Sequence, residues 1–542
     1  MLRVCVVMVT LCGWLGRLAA TAPAEDAGLV EIATRIDAEV RAGWEAAHAS
    51  PAEPLNDGAY LRRVMLDLAG RVPTVPELQE YETDNNPEKR PELVTSLLAA
   101  PDFAFHQRNE LDLLLLARLT NNGEWRDYLL TATRENRPWD QLFREIVLPD
   151  VHCPDTPGVS AFLRERVREL DDLTNDTAVL FFGVNIGCAK CHDHPHVPDW
   201  RQDHYYGMAS FFQRTYRTKK GQLAEKFDGR MNFKTVAGDE KAAQFMFLTG
   251  ASVDEPLVER TEDEQKELQE AVKKAEREDD AEIPTPEFRP RAELVRLALE
   301  DGKKRFLAKN IVNRTWARLM GRGLVHPLDQ LHSENPASHP DLLDWLARDL
   351  EQHGYDLARL IGGIVLSDAY ALSSRWPSGD RPDPALFAVA EPRALTPRQL
   401  ALSTIVATLN PKQSPGLNKP DDWSKRREDW ENRSNHLTDQ LAIPEENFQV
   451  SVEEALLYSN NDHITREYLR ASDDRLIGAI QETEGTADQA ELLYCALLGR
   501  APSEAEEARI YNYVDARSDR SSEAWSQILW AVLTSPEFRF NH

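Results

Sequence analysis

Cysteine and methionine are scarce in this chain of 542 residues, which holds six of the first and seven of the second. So few cysteines exclude a disulfide-dense scaffold. After residue 22 no apolar run approaches the roughly 20 residues of a membrane-spanning helix, so a protein integral to the membrane is not expected. Basic residues are outnumbered, with 63 Lys and Arg against 90 Asp and Glu and a net charge of −27. Such a surface repels nucleic acid and anionic membranes, and no nucleic-acid partner is expected. Phosphate loop, dinucleotide fingerprint, G-x-S-x-G elbow and H-E-x-x-H are all missing.

The first 22 residues have the layout of a secretory signal. Arg3 is the basic start, Val4 to Leu15 is apolar, and Leu18-Ala19-Ala20-Thr21-Ala22 supplies small residues for cleavage. The expectation is an exported protein, periplasmic or associated with the cell envelope. Four cysteines then remain: Cys153, Cys188, Cys191 and Cys495.

Beyond the leader the pattern is helical. Leu29, Ile32, Ile36 and Val40 recur at helical spacing, and Ala59–Leu68, Pro87–Leu98 and Phe103–Leu119 continue the theme. Leu173-Thr174-Asn175-Asp176 offers caps for a helix through Phe181 and Phe182. Helical periodicity fades over residues 217–257, where Met231–Val236 and Phe245–Leu248 suggest short strands. Residues 258–280 are dense in charge, and Ile283-Pro284-Thr285-Pro286 punctuates the chain. Phe306–Met320, Leu342–Leu350, Leu357–Leu366 and Pro397–Leu409 predict further helices, Lys412–Arg433 an irregular loop, and Ala487–Phe540 three helices. The fold expected is mainly α. A cytochrome-like helical domain (23–216) and a second helical domain (287–542) are joined by an irregular, partly β and charged region (217–286).

One stretch carries chemistry: Cys188-Ala189-Lys190-Cys191-His192-Asp193-His194-Pro195-His196. It begins with C-x-x-C-H, the form that receives covalent haem c. Composition alone predicts about 0.002 such matches in the chain, so chance is a weak explanation. In a helical turn Cys188 and Cys191 face one side, as two thioethers to one porphyrin require, and His192 supplies the proximal iron ligand. Met208, His204 and His106 are the candidates for a sixth ligand; His194, two residues from His192, does not reach the opposite haem face. A rival set uses Cys188 and Cys191 with His192, His194, His196 or His204 to hold zinc or copper. If the two thiols carry haem, Cys153 and Cys495 are left as a candidate disulfide.

Several stretches together resemble one family. They are Asp67-Leu68-Ala69-Gly70-Arg71-Val72-Pro73-Thr74, Phe181 to Pro195, Tyr206-Gly207-Met208-Ala209-Ser210-Phe211-Phe212, Val312-Asn313-Arg314-Thr315-Trp316, Gly321 to Val325, Asn335 to Pro340, and Ser535 to His542. The chain is similar in these to the planctomycete-type cytochrome-like proteins, with two domains of unknown function in tandem, usually exported. The resemblance covers nearly all of the mature chain. It implies one haem at most, because many members carry a further cytochrome c domain and this chain has no second C-x-x-C-H. Lys190 stands where Gln is usual, and His196 is an extra ligand candidate.

Three functions follow as expectations. The first is an exported haem protein for electron transfer or a redox step, a haem-dependent oxidoreductase among the options, with an unidentified redox partner protein. The second is a non-redox binding or scaffold protein with structural zinc or copper. The third, carbohydrate processing assisted by haem, rests only on export. Asn313, Arg314 and Trp316 either line a pocket or form a buried network, and His326, His332 and His339 read as loop caps.

Overall fold

Helix start and stop signals are spread along the whole chain, and the computed structural model is mainly helical. It describes residues 22–117, 123–150, 158–377, 379–444 and 462–542. The leader expected over residues 1–22 lies outside these but for Ala22, as does Cys153, so the expected disulfide falls outside them too.

The first half runs through α1 (Ala22–Ala47), α2 (Asp57–Val64), α3 (Val75–Thr83), α4 (Lys89–Ala99), α5 (Pro101–Leu116), α6 (Gly123–Arg134), α7 (Trp139–Val147), α8 (Ala161–Arg166), α9 (Leu170–Phe182) and α10 (Gln202–Phe212). A π turn, Met65–Ala69, extends α2. Thr74 and Glu77 form a reciprocal capping box at α3, which fixes its start. The connecting region holds three short antiparallel ladders, β1 (Thr215–Arg217) with β2 (Leu223–Glu225), β3 (Asn232–Lys234) with β4 (Glu240–Ala242), and β5 (Phe245–Met246) with β6 (Ser252–Val253). The charged stretch after them forms α11 (Glu262–Arg277), which buries only Val272 and Ala275.

The second half contains α12 (Pro290–Leu299), α13 (Phe306–Met320), α14 (Pro340–Gln352), α15 (Leu357–Leu366), α16 (Pro397–Ala407), α17 (Trp423–Gln440), α18 (Asp462–Tyr468), α19 (Leu476–Glu482), α20 (Thr486–Leu498), α21 (Glu504–Asp515) and α22 (Ser521–Leu533). A last ladder joins β7 (Arg393–Ala394) to β8 (Phe540–Asn541) near the C-terminus.

Two local expectations are corrected. The loop expected over Lys412–Arg433 is helical from Trp423 onward. Trp423, Trp430 and Leu437 recur every seventh residue, a stripe too thin to stand out among charges, yet all three are buried. The caps expected within Leu173-Thr174-Asn175-Asp176 lie inside α9, which starts at Leu170; Asp176 instead pairs with Arg166 at 2.6 Å.

Packing runs across residue 287. One core joins Ile32 and Ile36 of α1 and Phe181 and Phe182 of α9 to Ile311, Trp316, Leu346 and Ile361 of the second half. The second core, built on Leu400, Trp423, Trp430 and Trp525, takes in Leu66, Val72 and Val75 from the first half. Helices α1 and α15 touch so closely that a Cβ on Gly363 would lie 2.4 Å from Ile32.

Candidate functional site

Helix α9 delivers the chain to the C-x-x-C-H motif, and the second half holds the end of that helix. The last carbonyls of a helix have no partner within it. Here Arg314 Nη2 donates to Val179 O at 2.7 Å and Asn310 Nδ2 donates to Leu180 O at 2.7 Å. Arg314 Nε also donates to Asn310 Oδ1 at 3.0 Å, so the two act as one clamp. Burial lowers the Arg314 pKa to about 10, with Asp329 opposing the shift. Asn313 is turned elsewhere and bonds both ways with the Val325 backbone. Of the two readings of this stretch, the buried network is the one present.

Gly183 then ends α9 in the left-handed region at φ 69°, where a Cβ would come within 2.8 Å of Asn310 Oδ1. The following residues are strapped to the second half. Leu331 N donates to Gly183 O at 2.9 Å, Asn185 N to Asp329 O at 2.9 Å, and Asn185 Nδ2 to Asp329 Oδ2 at 3.1 Å.

Beyond this strap, Gly187–Lys190 forms one 3₁₀ turn. Ile186 and Ala189 point into the core, while Cys188 and Cys191 are exposed free thiols. Gln202, at the start of α10, lies under the turn. Its Nε2 reaches Lys190 O, Cys191 O and Lys234 O at 3.2–3.4 Å, and its backbone N–H donates to Asp193 Oδ1 at 3.0 Å. Lys190 pairs with Asp171, which also accepts from Tyr205 Oη at 2.5 Å. The hydrogen bonds from Lys190 and then Tyr205 hold the Asp171 carboxyl below its usual range. Tyr206 stacks on Phe233 with ring centres 4.1 Å apart. Burial raises the pKa of both Tyr205 and Tyr206, and Asp171 adds to each, at Tyr205 through its hydrogen bond.

The histidines divide by tautomer. A carbonyl can only accept, so the 2.8 Å contact between His192 Nδ1 and Asp193 O places the ring hydrogen on Nδ1. The Nε2 lone pair of exposed His192 is therefore free, as a metal ligand needs. A backbone N–H can only donate. His194 Nδ1 accepts from Val197 N at 3.0 Å and from His196 N at 3.3 Å, and His204 Nδ1 accepts from Arg201 N at 3.2 Å. Their neutral rings carry the hydrogen on Nε2, the nitrogen left to reach a metal. Burial lowers the pKa of both, and His204 also packs edge-on against Trp200. His332 is committed at both nitrogens, to Glu334 N and Gln330 Oε1. His196 is exposed.

The other two sixth-ligand candidates lie in packed surroundings. Met208 is fully buried in the core. His106 is also buried, and its neighbours are Gly70, Asp67, Glu110 and Arg318, a set separate from Asp171, Gln202, Tyr205 and Tyr206 around the motif. Among the described residues no three His, Cys, Asp or Glu side chains stand together as a metal cluster. The supports from Gln202, Asp193, Asp171 and Asp329 went unread in the sequence, because each works through a contact distant along the chain and has no local pattern.

Residues 35–217 match a family model described as a protein of unknown function, DUF1549 (PSCyt2), and residues 290–514 match another, DUF1553 (PSD1). No curated protein and no solved structure matches the chain. The C-x-x-C-H turn belongs to the first matched stretch, and the Asn310–Arg314 clamp to the second. Two domains of unknown function, DUF1549 and then DUF1553, thus stand in tandem in this chain and meet at the motif.

Proposed function

We propose that this protein is an exported carrier of one covalent haem c, serving electron transfer or a redox step with a partner protein. The single observation that carries the reading is the state of His192. Its Nδ1 hydrogen is held by Asp193 O, leaving Nε2 free beside two exposed thiols one turn apart. Cys188 and Cys191 would form the thioethers and His192 would ligate iron, and the bound haem would supply one-electron exchange. Gln202 and the Asp171–Lys190 pair hold the turn in place, and the Tyr206–Phe233 stack offers an aromatic surface beside it. His194 and His204 present protonated nitrogens, which counts against the zinc or copper alternative.

Co-expression with haem-attachment machinery tests the proposal. The expected product keeps one haem per chain after denaturation in SDS and shows a reversible absorbance change on reduction. Cys188→Ala with Cys191→Ala should abolish the stain, and His192→Gln should change the spectrum. His194→Gln and His204→Gln should leave that spectrum unaltered. A colourless chain that holds zinc and unfolds on chelation would sink the haem reading.

A further inference from the structure

The segment that follows the motif is a closed loop, and its braces fix the direction of one peptide plane. Asp193 Oδ1 accepts from Gln202 N at 3.0 Å, which gives a partner to one of the first N–H groups of α10. One residue further on, His194 N donates to Trp200 O at 2.8 Å. Inside the loop Trp200 N donates to Val197 O at 3.2 Å, and Val197 N to the His194 ring at 3.0 Å. The loop is thus braced at its mouth and across its middle.

The mouth acts on His192 through a shared peptide. The carbonyl of Asp193 and the N–H of His194 belong to one planar trans unit, in which the two groups point opposite ways. With the N–H held by Trp200 O, the carbonyl is turned away from Trp200 and meets His192 Nδ1 at 2.8 Å. Hydrogen bonds chained in this way polarise one another. A neutral histidine free in water carries its hydrogen mainly on Nε2. The opposite form of His192, with Nε2 open to a metal, is imposed by this carbonyl.

The loop is moored in turn to the second half of the chain. Trp200 is 3% exposed and packs on Phe306 of α13, with ring centres 6.1 Å apart. Asp199 Oδ2 accepts from Ser333 N at 2.8 Å. Phe306 and Ser333 both belong to the second matched stretch.

We infer, given the haem reading, that Asp193 is a positioning residue for His192, and that the DUF1553 half sets the ligand form of that histidine through the Asp193–Gln202 loop. The second half then has two tasks at the site. Its clamp on α9 holds the helix before the motif, and its hold on the loop fixes the ligand after it.

The test is nitrogen NMR of the haem-free full chain carrying isotope-labelled histidine, at alkaline pH where the imidazoles are neutral. The His192 signals are those missing from His192→Gln. The hydrogen should reside mainly on Nδ1 in the parent chain. Asp193→Ala should shift the ratio about fivefold toward Nε2, the scale of one hydrogen bond. Asp193→Asn, whose amide oxygen still accepts from Gln202 N, should restore it. Asp199→Ala, which frees Ser333 N, should move the ratio in the same direction as Asp193→Ala. In the haem-loaded chain the reduction potential of Asp193→Ala should rise, because a histidine whose Nδ1–H has no acceptor donates less to iron. A parent ratio in favour of Nε2, or an Asp193→Ala chain that loses thermal stability but keeps the parent ratio, overturns the inference. An unchanged ratio in Asp199→Ala overturns the part given to the second half. A chain that takes up no haem refutes the proposed function instead, and the ratio in the haem-free chain still decides the role of Asp193.

Discussion

Glu77 shows how much a single side chain decides in this protein. It caps α3 through Thr74 N at 2.7 Å and pairs with Arg71 through two bonds of 2.9 Å, with no exposure to solvent. Lys419 of the second half completes the set. Burial pushes the Glu77 carboxyl upward, but Arg71 and Lys419 more than reverse this and bring it down to about 2. A carboxyl lowered on folding stabilises the fold above its ordinary pKa of 4.5, and that stability is lost as pH falls toward 2. Urea midpoints should therefore drop as pH falls from about 4.5 toward about 2, the window these two values set. Glu77→Gln leaves Arg71 buried beside Asp102 alone and should cost about 3–5 kcal/mol at pH 7, with a flatter acid profile. A midpoint at pH 7 equal to the parent's would contradict this account of the pair. The same scale explains what was legible at the motif. Its ligand-type residues are local and show as a pattern, whereas the tautomers that separate His192 from His194 and His204 come from backbone geometry and cannot be read from residue order.

Elements were legible where one residue type dominated one face. Phe306–Met320 and Leu357–Leu366 form helices with those bounds, because their apolar spacing is dense. Helix α17 was hidden because polar Arg427, Glu431 and Ser434 are buried between its apolar positions. The end of α9 depends on another element in the same way. Arg314 and Asn310 complete two of its final carbonyls, so the helix that leads to the motif is finished by α13. Arg314→Met keeps the aliphatic stem and removes the donors. It should cost about 1–3 kcal/mol by taking the charged donor from Val179 O, which keeps only the Gly183 N–H at 3.1 Å, and should speed hydrogen exchange over residues 183–192. Loss of stability without faster exchange there would mean that the clamp supports the core but not the motif.

Over the whole molecule, the family matches divide the chain near residues 217 and 290, while the packing does not. The periodicity and composition of a sequence mark where elements change, but carry no record of which faces meet. Here α1 rests on α15, α9 on α13, and α3 on the chain around Lys419. The C-terminal β8 pairs with β7, and Asn541 Nδ2 donates to Asp67 Oδ1 at 3.0 Å, so the last residues reach the Asp67–Thr74 stretch. Asp67 also accepts from Arg393 at 2.7 Å and from Tyr370 at 2.6 Å. A fragment of residues 23–286 would bare Ile32 and Ile36 of α1 and leave buried Asp67 without these partners. Exposed core surface costs about 25 cal/mol per Å², and an unpaired buried carboxylate costs several kcal/mol more. The fragment should therefore show no cooperative thermal transition by circular dichroism. Co-expression with residues 287–542 should restore one transition, and the two pieces should co-purify. A cooperative melt of the isolated fragment near the midpoint of the full chain would show that the first domain carries its own core, and that the shared packing is an interface between separately folded parts.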